Sequence, residues 1–520
     1  MTRLGLARGG GLGRLVLGLP TGFLACLLIL AFTSSSASAA DRVYWANDGS
    51  EKANRISFAN LDGSGGGNLD TRGAPGGHPR GVAIDVAAGR VYWTQPGTNP
   101  SDGLISFASL DGTGGGGTLN TSGATVNHPN AAAVYPAAGR IYWANEFGNT
   151  ISFANLNNTG SGNLITTDIP VGPMVDPGSR RVYWGAANPV NRISFVNLDG
   201  SGAGSVNTAG ATINNPKGVA IDPVAGRIYW ANIGTIASPV HVISYANLDG
   251  SGGGDLNTTG ATVNTPAGVA IDPEARRIYW GNQTGNKVSF ANLDGSGGGD
   301  LSAPGATVSG PRSPVLLKAP SGAGAPTITG RSRPGSVLTC SQGSWAPDML
   351  SSWLYRTPQT LTYSWALNGK PIQGANRSTY KASAGGRYRC TVTASNPAGS
   401  SSQTSAATLA FGAKTLVTMS VAPRRIPGRG PIKVVIRNRN DFRVSGKLSA
   451  RATKRGSVKR GFAVGAKARL KVRLKPSKSL KRLLKRDKKL SLRLSAKVKD
   501  PAGNTRTVRK KVSLRLKKTG

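Results

Sequence analysis

The clearest order in this chain is an alternation of apolar runs and turn residues that recurs six times between residues 41 and 318. In the unit that begins at Pro216, Gly218-Val219-Ala220-Ile221 is a first apolar run, and Asp222-Pro223-Val224-Ala225-Gly226 is a turn of residues that favour turn geometry. Arg227-Ile228-Tyr229-Trp230 is a second run, rich in β-formers, and residues 242–248 are a third. Residues 249–254 then make a hairpin in which glycine takes positive φ without steric cost, and a short edge strand follows near Leu256. The Tyr-Trp pair returns at 44–45, 92–93, 142–143, 183–184, 229–230 and 279–280, in steps of 48, 50, 41, 46 and 50 residues. Four strands in each such unit is the arithmetic of a propeller blade.

The two ends of the array set the number of blades. The chain enters at a second run, Arg42-Val43-Tyr44-Trp45, with no first run before it, and leaves with Ser313-Pro314-Val315-Leu316-Leu317, a first run with no Tyr-Trp after it. The late fragment is predicted to insert into the first blade, close the ring and remove an exposed sheet edge. The expected fold class is therefore all-β, beginning with a six-bladed β-propeller over 41–318.

Repeats such as Pro-Lys-Gly-Val-Ala-Ile-Asp-Pro (216–223) with Arg-Ile-Tyr-Trp-Ala-Asn (227–232) resemble the Tyr-Trp-Thr-Asp repeats of the low-density-lipoprotein-receptor class B family. The resemblance covers over half of the chain and implies that the fourth motif residue, aspartate in that family, ties blades together by hydrogen bonds. Here that position holds Asn47, Gln95, Asn145, Ala186, Asn232 and Asn282. Amides can serve without charge, whereas Ala186 cannot.

Two further modules are expected beyond a linker at 319–325. In 326–410, Cys340, Trp365 and Cys390 follow one another in the order of an immunoglobulin-like sandwich, with Tyr388 two residues before the second cysteine. The segment Tyr363-Ser364-Trp365-Ala366-Leu367-Asn368-Gly369-Lys370 resembles the core strand and turn of bacterial Ig-like domains. In 411–520, Leu470, Val472 and Leu474, then Leu490, Leu492 and Leu494, then Val512, Leu514 and Leu516 alternate with polar and cationic residues. Period two puts the apolar set inside and the cations outside, which predicts a small basic β-sandwich-like domain. Leu480, Leu483 and Leu484 have the spacing of a short helix between these strands.

Charge changes the picture at one end only. The formal net charge is +41, yet residues 41–318 hold 17 Lys and Arg against 19 Asp and Glu, while residues 411–520 hold 36 against 3. The basic end is thus a candidate for anionic cell-wall polymer or polysaccharide, without specific nucleic-acid recognition, since it has no Tyr or Trp to stack on bases. Residues 1–40 read as a signal peptide: Arg3, Arg8 and Arg14, an apolar stretch from 15 to 32, and a small-residue exit at Ala37-Ser38-Ala39-Ala40. No other stretch approaches the length of a membrane span, so the expected location is secreted or cell-surface associated. Cys340 and Cys390, the pair left once Cys26 leaves with the leader, are expected to form a disulfide.

Candidate chemistry lies where the chain enters each first run, because that strand is innermost and its start rings the central mouth. His78, His128, Asn215 and Thr265 precede the prolines there, with Ile169 and Gly310 equivalent; Arg80, Asn130, Lys217 and Arg312 follow them, with Val171 and Ala267 equivalent. These make a polar face for an unknown protein or glycan ligand. Asp168 is the one carboxylate expected at that rim, so the chain reads as a binding protein and not an enzyme. The alternatives are a lyase or hydrolase using His78 and His128 as acid and base, and a structural envelope protein. No cofactor and no metal site is expected: the Gly-rich stretches before Asp255 and Asp300 lack the short period of calcium-binding repeats.

Overall fold

The computed structural model describes residues 40–516 apart from 50–54, 100–101, 166–167, 331–334, 411–415, 424, 427–429, 441, 453–456, 488 and 501–504. The expected leader, with Cys26, lies outside the described residues apart from Ala40.

The protein is all-β, and its first part is a propeller. The described residues of the repeat region form six four-stranded antiparallel sheets. Their inner strands are Gly81–Asp85, Pro129–Tyr135, Pro170–Asp176, Pro216–Asp222, Pro266–Asp272 and Pro311–Leu317. Each packs beside the next, and the last packs beside the first. Pro311–Leu317 runs antiparallel to Arg42–Asn47, with Leu316 opposite Val43 and Leu317 opposite Arg42, so the two chain fragments share one sheet.

Each sheet is covered on both faces by its neighbours. That is why the second strands are buried almost end to end, as in Arg227–Gly234, and do not alternate. Arginine at the head of each second strand lies over the aromatic ring of the third, 4.1 Å away for Arg181 over Phe195 and 4.7 Å for Arg42 over Phe58. The inner strands bulge where they converge. Gly172 and Gly218 adopt φ of 62° and 45°, and a Cβ on Gly172 would lie 2.2 Å from the Cα of Gly218. A side chain on Gly172 would strike the next inner strand, although the equivalent positions of two other blades hold Ala131 and Ser313 at φ of 56° and 46°.

The fourth motif position works as the resemblance implies, with one exception. Asn232 accepts hydrogen bonds from the Trp230 indole (3.2 Å) and from the backbone of Asn214 (2.9 Å) in the segment arriving from the previous blade. It donates to Ser244 Oγ and to Thr212 O; Ser244 donates on to Asp255, which also holds Thr212. Asn47, Asn145 and Asn282 head similar chains. Asp255 and Asp300 thus belong to blade-joining networks. In the fourth blade Ala186 leaves the buried Trp184 indole nitrogen without a hydrogen-bond partner, and Asp168 Oδ2 accepts a hydrogen bond from Ser194 Oγ at 2.5 Å. Removing Asn232 strands several buried donors and acceptors at once, so Asn232→Ala is expected to cost about 2–4 kcal/mol. Urea unfolding measures this; a loss below about 1 kcal/mol would mean that the network adds little.

Beyond residue 318 the expected boundaries change. The supposed linker holds a strand, Gly322–Gly324, paired with Ser344–Trp345. Two sheets follow, one of Ile328–Gly330, Val337–Cys340 and Thr379–Lys381, the other built on Thr360–Leu367 and Gly386–Asn396. A Cys340–Cys390 disulfide joins them, Trp365 is buried beside it, and Tyr388 donates its hydroxyl to Ala384 O. Residues 349–355, within the stretch expected to be sandwich, lie instead against the propeller. Leu354–Tyr355 adds a parallel strand beside Pro311–Leu317, and the Trp353 indole donates to Val219 O (2.8 Å). Trp353 borders the space between the inner strands together with Val82, Ala131, Val269 and Val315.

The C-terminal region packs a three-stranded sheet (Val417–Val421, Ile432–Asn438, Arg469–Leu474) against a larger one built on Val444–Arg451, Ser457–Val464, Lys489–Lys499 and Thr505–Leu516. A helix, Lys478–Asp487, buries Leu480 in the same core.

Candidate functional site

The segments that lead into the inner strands, and the loops that leave the second strands, meet around a cavity of about 270 Å³ at one end of the propeller axis. Its wall includes Arg80, His128, Asn130, Lys217 and Arg312, five of the eight residues expected at the mouth. His78 stands just outside, half exposed, with Nδ1 3.5 Å from Asp48 Oδ1. Asn215 and Thr265 do not line the cavity. Asn215 donates to Gly234 O and Thr265 bonds Thr284 Oγ1, so both brace the loops that form the rim. Asn215, Thr265 and His128 all take positive φ (51°, 51° and 53°), which turns the chain sharply just before the prolines.

Two carboxylates that the sequence reading did not place here complete the cluster. Asp48 and Glu146 each come one residue after the fourth motif position, where the other blades have Pro96, Ala187, Ile233 and Gln283. That position was the signal to follow: the strand ends there, and the next side chain turns toward the axis. Arg312 Nε is 2.9 Å from Asp48 Oδ2, and Arg80 Nε is 3.5 Å from the same oxygen. Neither contact is aligned as a hydrogen bond, and both Nε groups are buried. Glu146 receives Arg80 Nη1 at 3.3 Å and Asn130 Nδ2 at 3.2 Å, with Lys217 Nζ 3.8 Å away. Asp168, the carboxylate expected at the rim, is not part of this wall. It is buried against Arg192, whose Nη2 is 2.6 Å from its Oδ1, because it replaces the amide missing at Ala186.

Burial sets the electrostatics. It pushes the Lys217 amine below its ordinary value, with Arg312 and Arg80 adding repulsion against the pull of Glu146. It lowers the Arg312 guanidinium as well, opposed chiefly by Asp48. Burial alone would raise Glu146, but Lys217, the Asn130 hydrogen bond and the two arginines outweigh it and hold the carboxyl below its usual value. His128 is depressed first by burial and then by Arg80, so it favours the neutral ring. Among the described residues, three cations therefore face two carboxylates in a largely buried bowl. An anion entering it neutralises charge that the protein has left in excess.

The rim is apolar on one side. Phe147 stacks on His128 with ring centres 4.3 Å apart and stays 65% exposed. Ile236, in the corresponding loop two blades on, is fully exposed, and Val190 in the blade between is partly so. Among the described residues, no group of His, Cys, Asp and Glu has a geometry able to hold a metal ion.

Neither a known protein family nor a curated protein matches this chain in sequence. Similar solved structures include one from a nidogen–laminin complex (19% identity, TM-score 0.43, 53% of this chain and 98% of that one). A gluconolactonase from Xanthomonas campestris (16%, 0.33, 47% and 85%) and a provisionally named 6-phosphogluconolactonase from Bacteroides uniformis (14%, 0.39, 54% and 99%) are also similar. The expectation that the chain is not an enzyme does not stand. Structures similar to it are named as lactonases, which are hydrolases, and the mouth holds carboxylates that the expectation had excluded.

Proposed function

We propose that this chain is an exported binding protein whose propeller mouth holds an anionic group of its ligand and whose basic C-terminal region attaches to anionic envelope polymer. The observation that carries the first half is the convergence of Arg80, Lys217 and Arg312 on one cavity with, among the described residues, Asp48 and Glu146 to balance them. The exposed apolar arc of Phe147, Val190 and Ile236 supplies contact area beside that charge, as a protein or glycan ligand requires. The disulfide-joined region between the two ends serves as a spacer.

Lys217→Gln removes a cation while leaving Glu146 with Arg80 and Asn130. It is expected to weaken binding of carboxylate- or phosphate-bearing ligands found on a glycan and peptide array by at least about tenfold, or ~1.4 kcal/mol. The melting temperature should stay nearly constant. Unchanged affinity, or an equal preference for neutral ligands, would count against the mouth as the site.

Hydrolysis at the same mouth is the second reading, favoured by the Glu146 carboxylate and the neutral His128 ring facing one cavity. Turnover of a bound ligand that disappears in Glu146→Gln would establish it.

A further inference from the structure

Facing cations occur on both C-terminal sheets, as Lys433 opposite Arg473 and Arg437 opposite Arg469 on the smaller one, and the larger sheet carries the more extended array. In the larger sheet, Lys447 stands opposite Lys497, Arg451 opposite Arg493, and Arg493 in turn opposite Lys511. At the far end of the same face Lys489 stands opposite Arg515. Residues directly opposite in antiparallel strands have Cβ atoms only about 4.5–5.5 Å apart, and like charges there are destabilising. The other residues on this outward face include the hydroxyl side chains of Ser445, Ser449, Ser491, Ser495, Ser513 and Thr507, and three further cations, Lys459 opposite Ser449, Lys499 opposite Ser445 and Arg509 opposite Ser495. Among the described residues of these strands there is no Asp or Glu. Nearby, Asp487 is taken up by Arg486 and Asp500 is buried.

A solvated surface has no need of this arrangement. Ordinary soluble surfaces intersperse both signs, and the cost of facing cations across three strands is recovered only when anions lie over them. The form of the surface narrows the ligand. It is a sheet face and not a groove. Among the described residues the aromatics of this region, Phe442 and Phe462, are buried, so none of them offers a ring for base stacking. No large apolar side chain stands on the face to enter a bilayer. Cations ~4.8 Å apart across strands and, from Lys447 to Arg451 or from Arg493 to Lys497, ~13 Å apart along them with a serine between, suit an extended chain with repeating anionic groups and many hydroxyls.

We propose that the outward face of the Val444–Arg451, Lys489–Lys499 and Thr505–Leu516 strands is a binding surface for a linear acidic polysaccharide, its carboxylates or phosphates spanning the cross-strand cation pairs. This rests on the anchor reading given above and assigns it to a single face. The test uses the full chain and two variants of equal charge change. One carries Lys447→Gln, Arg451→Gln, Arg493→Gln and Lys497→Gln on this face. The other carries Lys433→Gln, Arg437→Gln, Arg469→Gln and Lys471→Gln on the smaller sheet. Each is titrated with polygalacturonate, a polyglycerol phosphate, duplex DNA and phosphatidylglycerol vesicles at low and high salt, with the thermal transition checked.

The expected result is salt-sensitive binding of the two glycan-type polymers, weakened at least about tenfold in the first variant and less than about threefold in the second, with a shallower salt dependence in the first. The polygalacturonate and polyglycerol phosphate arms distinguish carboxylate from phosphate. Equal weakening in both variants would overturn the face assignment while leaving a general polycationic anchor. Tighter binding of DNA or vesicles than of either polymer would overturn the ligand class. No binding by the unaltered chain would overturn the anchor reading itself.

Discussion

A chain that ends at Gly310 is expected not to form a stable propeller, whereas one that continues through Thr357 should unfold in a single transition. The difference between them includes the inner strand Pro311–Leu317, which completes the sheet begun by Arg42–Asn47. Val315, Leu316 and Leu317 are buried to within 1%. At about 1.5–3 kcal/mol for each fully buried aliphatic side chain, their loss alone is comparable to the ~5–15 kcal/mol by which a whole domain is stable. Two ion-pair sets go with them: Arg312 to Asp48, and Lys318 to Asp41, Asp272 and Glu274. The short chain would also leave the edge of Arg42–Asn47 unpaired, an invitation to aggregate. Thermal unfolding with light scattering decides the matter. If the chain ending at Gly310 melted cooperatively at the temperature of the longer one, closure by this strand would not be what holds the ring.

The second large effect is expected from Trp353→Ala. Trp353 is nearly buried, fills space bordered by Val82, Val269 and Val315, and donates its indole hydrogen to Val219 O. Neighbouring Ser352 donates to Ile221 O, and Arg356 forms a short contact with Glu274. Truncation leaves a cavity between inner strands and an unmet carbonyl, and should cost about 3–5 kcal/mol. It should also loosen the attachment of the following sheets, since the parallel pairing of Leu316 with Leu354 depends on the same segment. Urea unfolding of the full chain gives the size. Limited proteolysis within residues 340–360 reports the loosening, and a loss below about 1 kcal/mol with an unchanged digestion pattern would contradict both expectations.

Much of the fold could be read directly because it repeats. A blade's second strand must be apolar on both sides to lie between two neighbours, so Tyr-Trp recurs with little freedom, and the incomplete units at the two ends indicate which strand is missing. The hydrogen-bonding role of the fourth motif position was likewise readable from Asn47, Asn145, Asn232 and Asn282. Its failure at Ala186 was visible too. The repair by Asp168 was not, since a carboxylate 18 residues upstream reaches Ser194 only through the sheet.

Half of the candidate site was legible for the same reason. Arg80, His128, Asn130, Lys217 and Arg312 follow from the rule that inner strands begin at the mouth. Asp48 and Glu146 escaped because only two of the six blades place an acid after the second strand, so no repeat marked the position. Their absence from the sequence reading left Asp168 as the one carboxylate expected at the mouth, which made the mouth look non-catalytic.

What the sequence by itself determined was mostly periodic: the strands, the closing of the ring, and the alternation that turns cations outward in the C-terminal region. Only the tertiary structure decided what depends on unrelated segments meeting. It brought Asp48 and Glu146 among three cations, drew Trp353 out of the expected sandwich and against the inner strands, and set Arg451, Arg493 and Lys511 side by side on three strands. Local pattern records the solvent exposure of each position, which backbone geometry enforces every second residue along a strand. Strand register and the convergence of loops on an axis are properties of the assembled chain, and there the charge balance of a site is set.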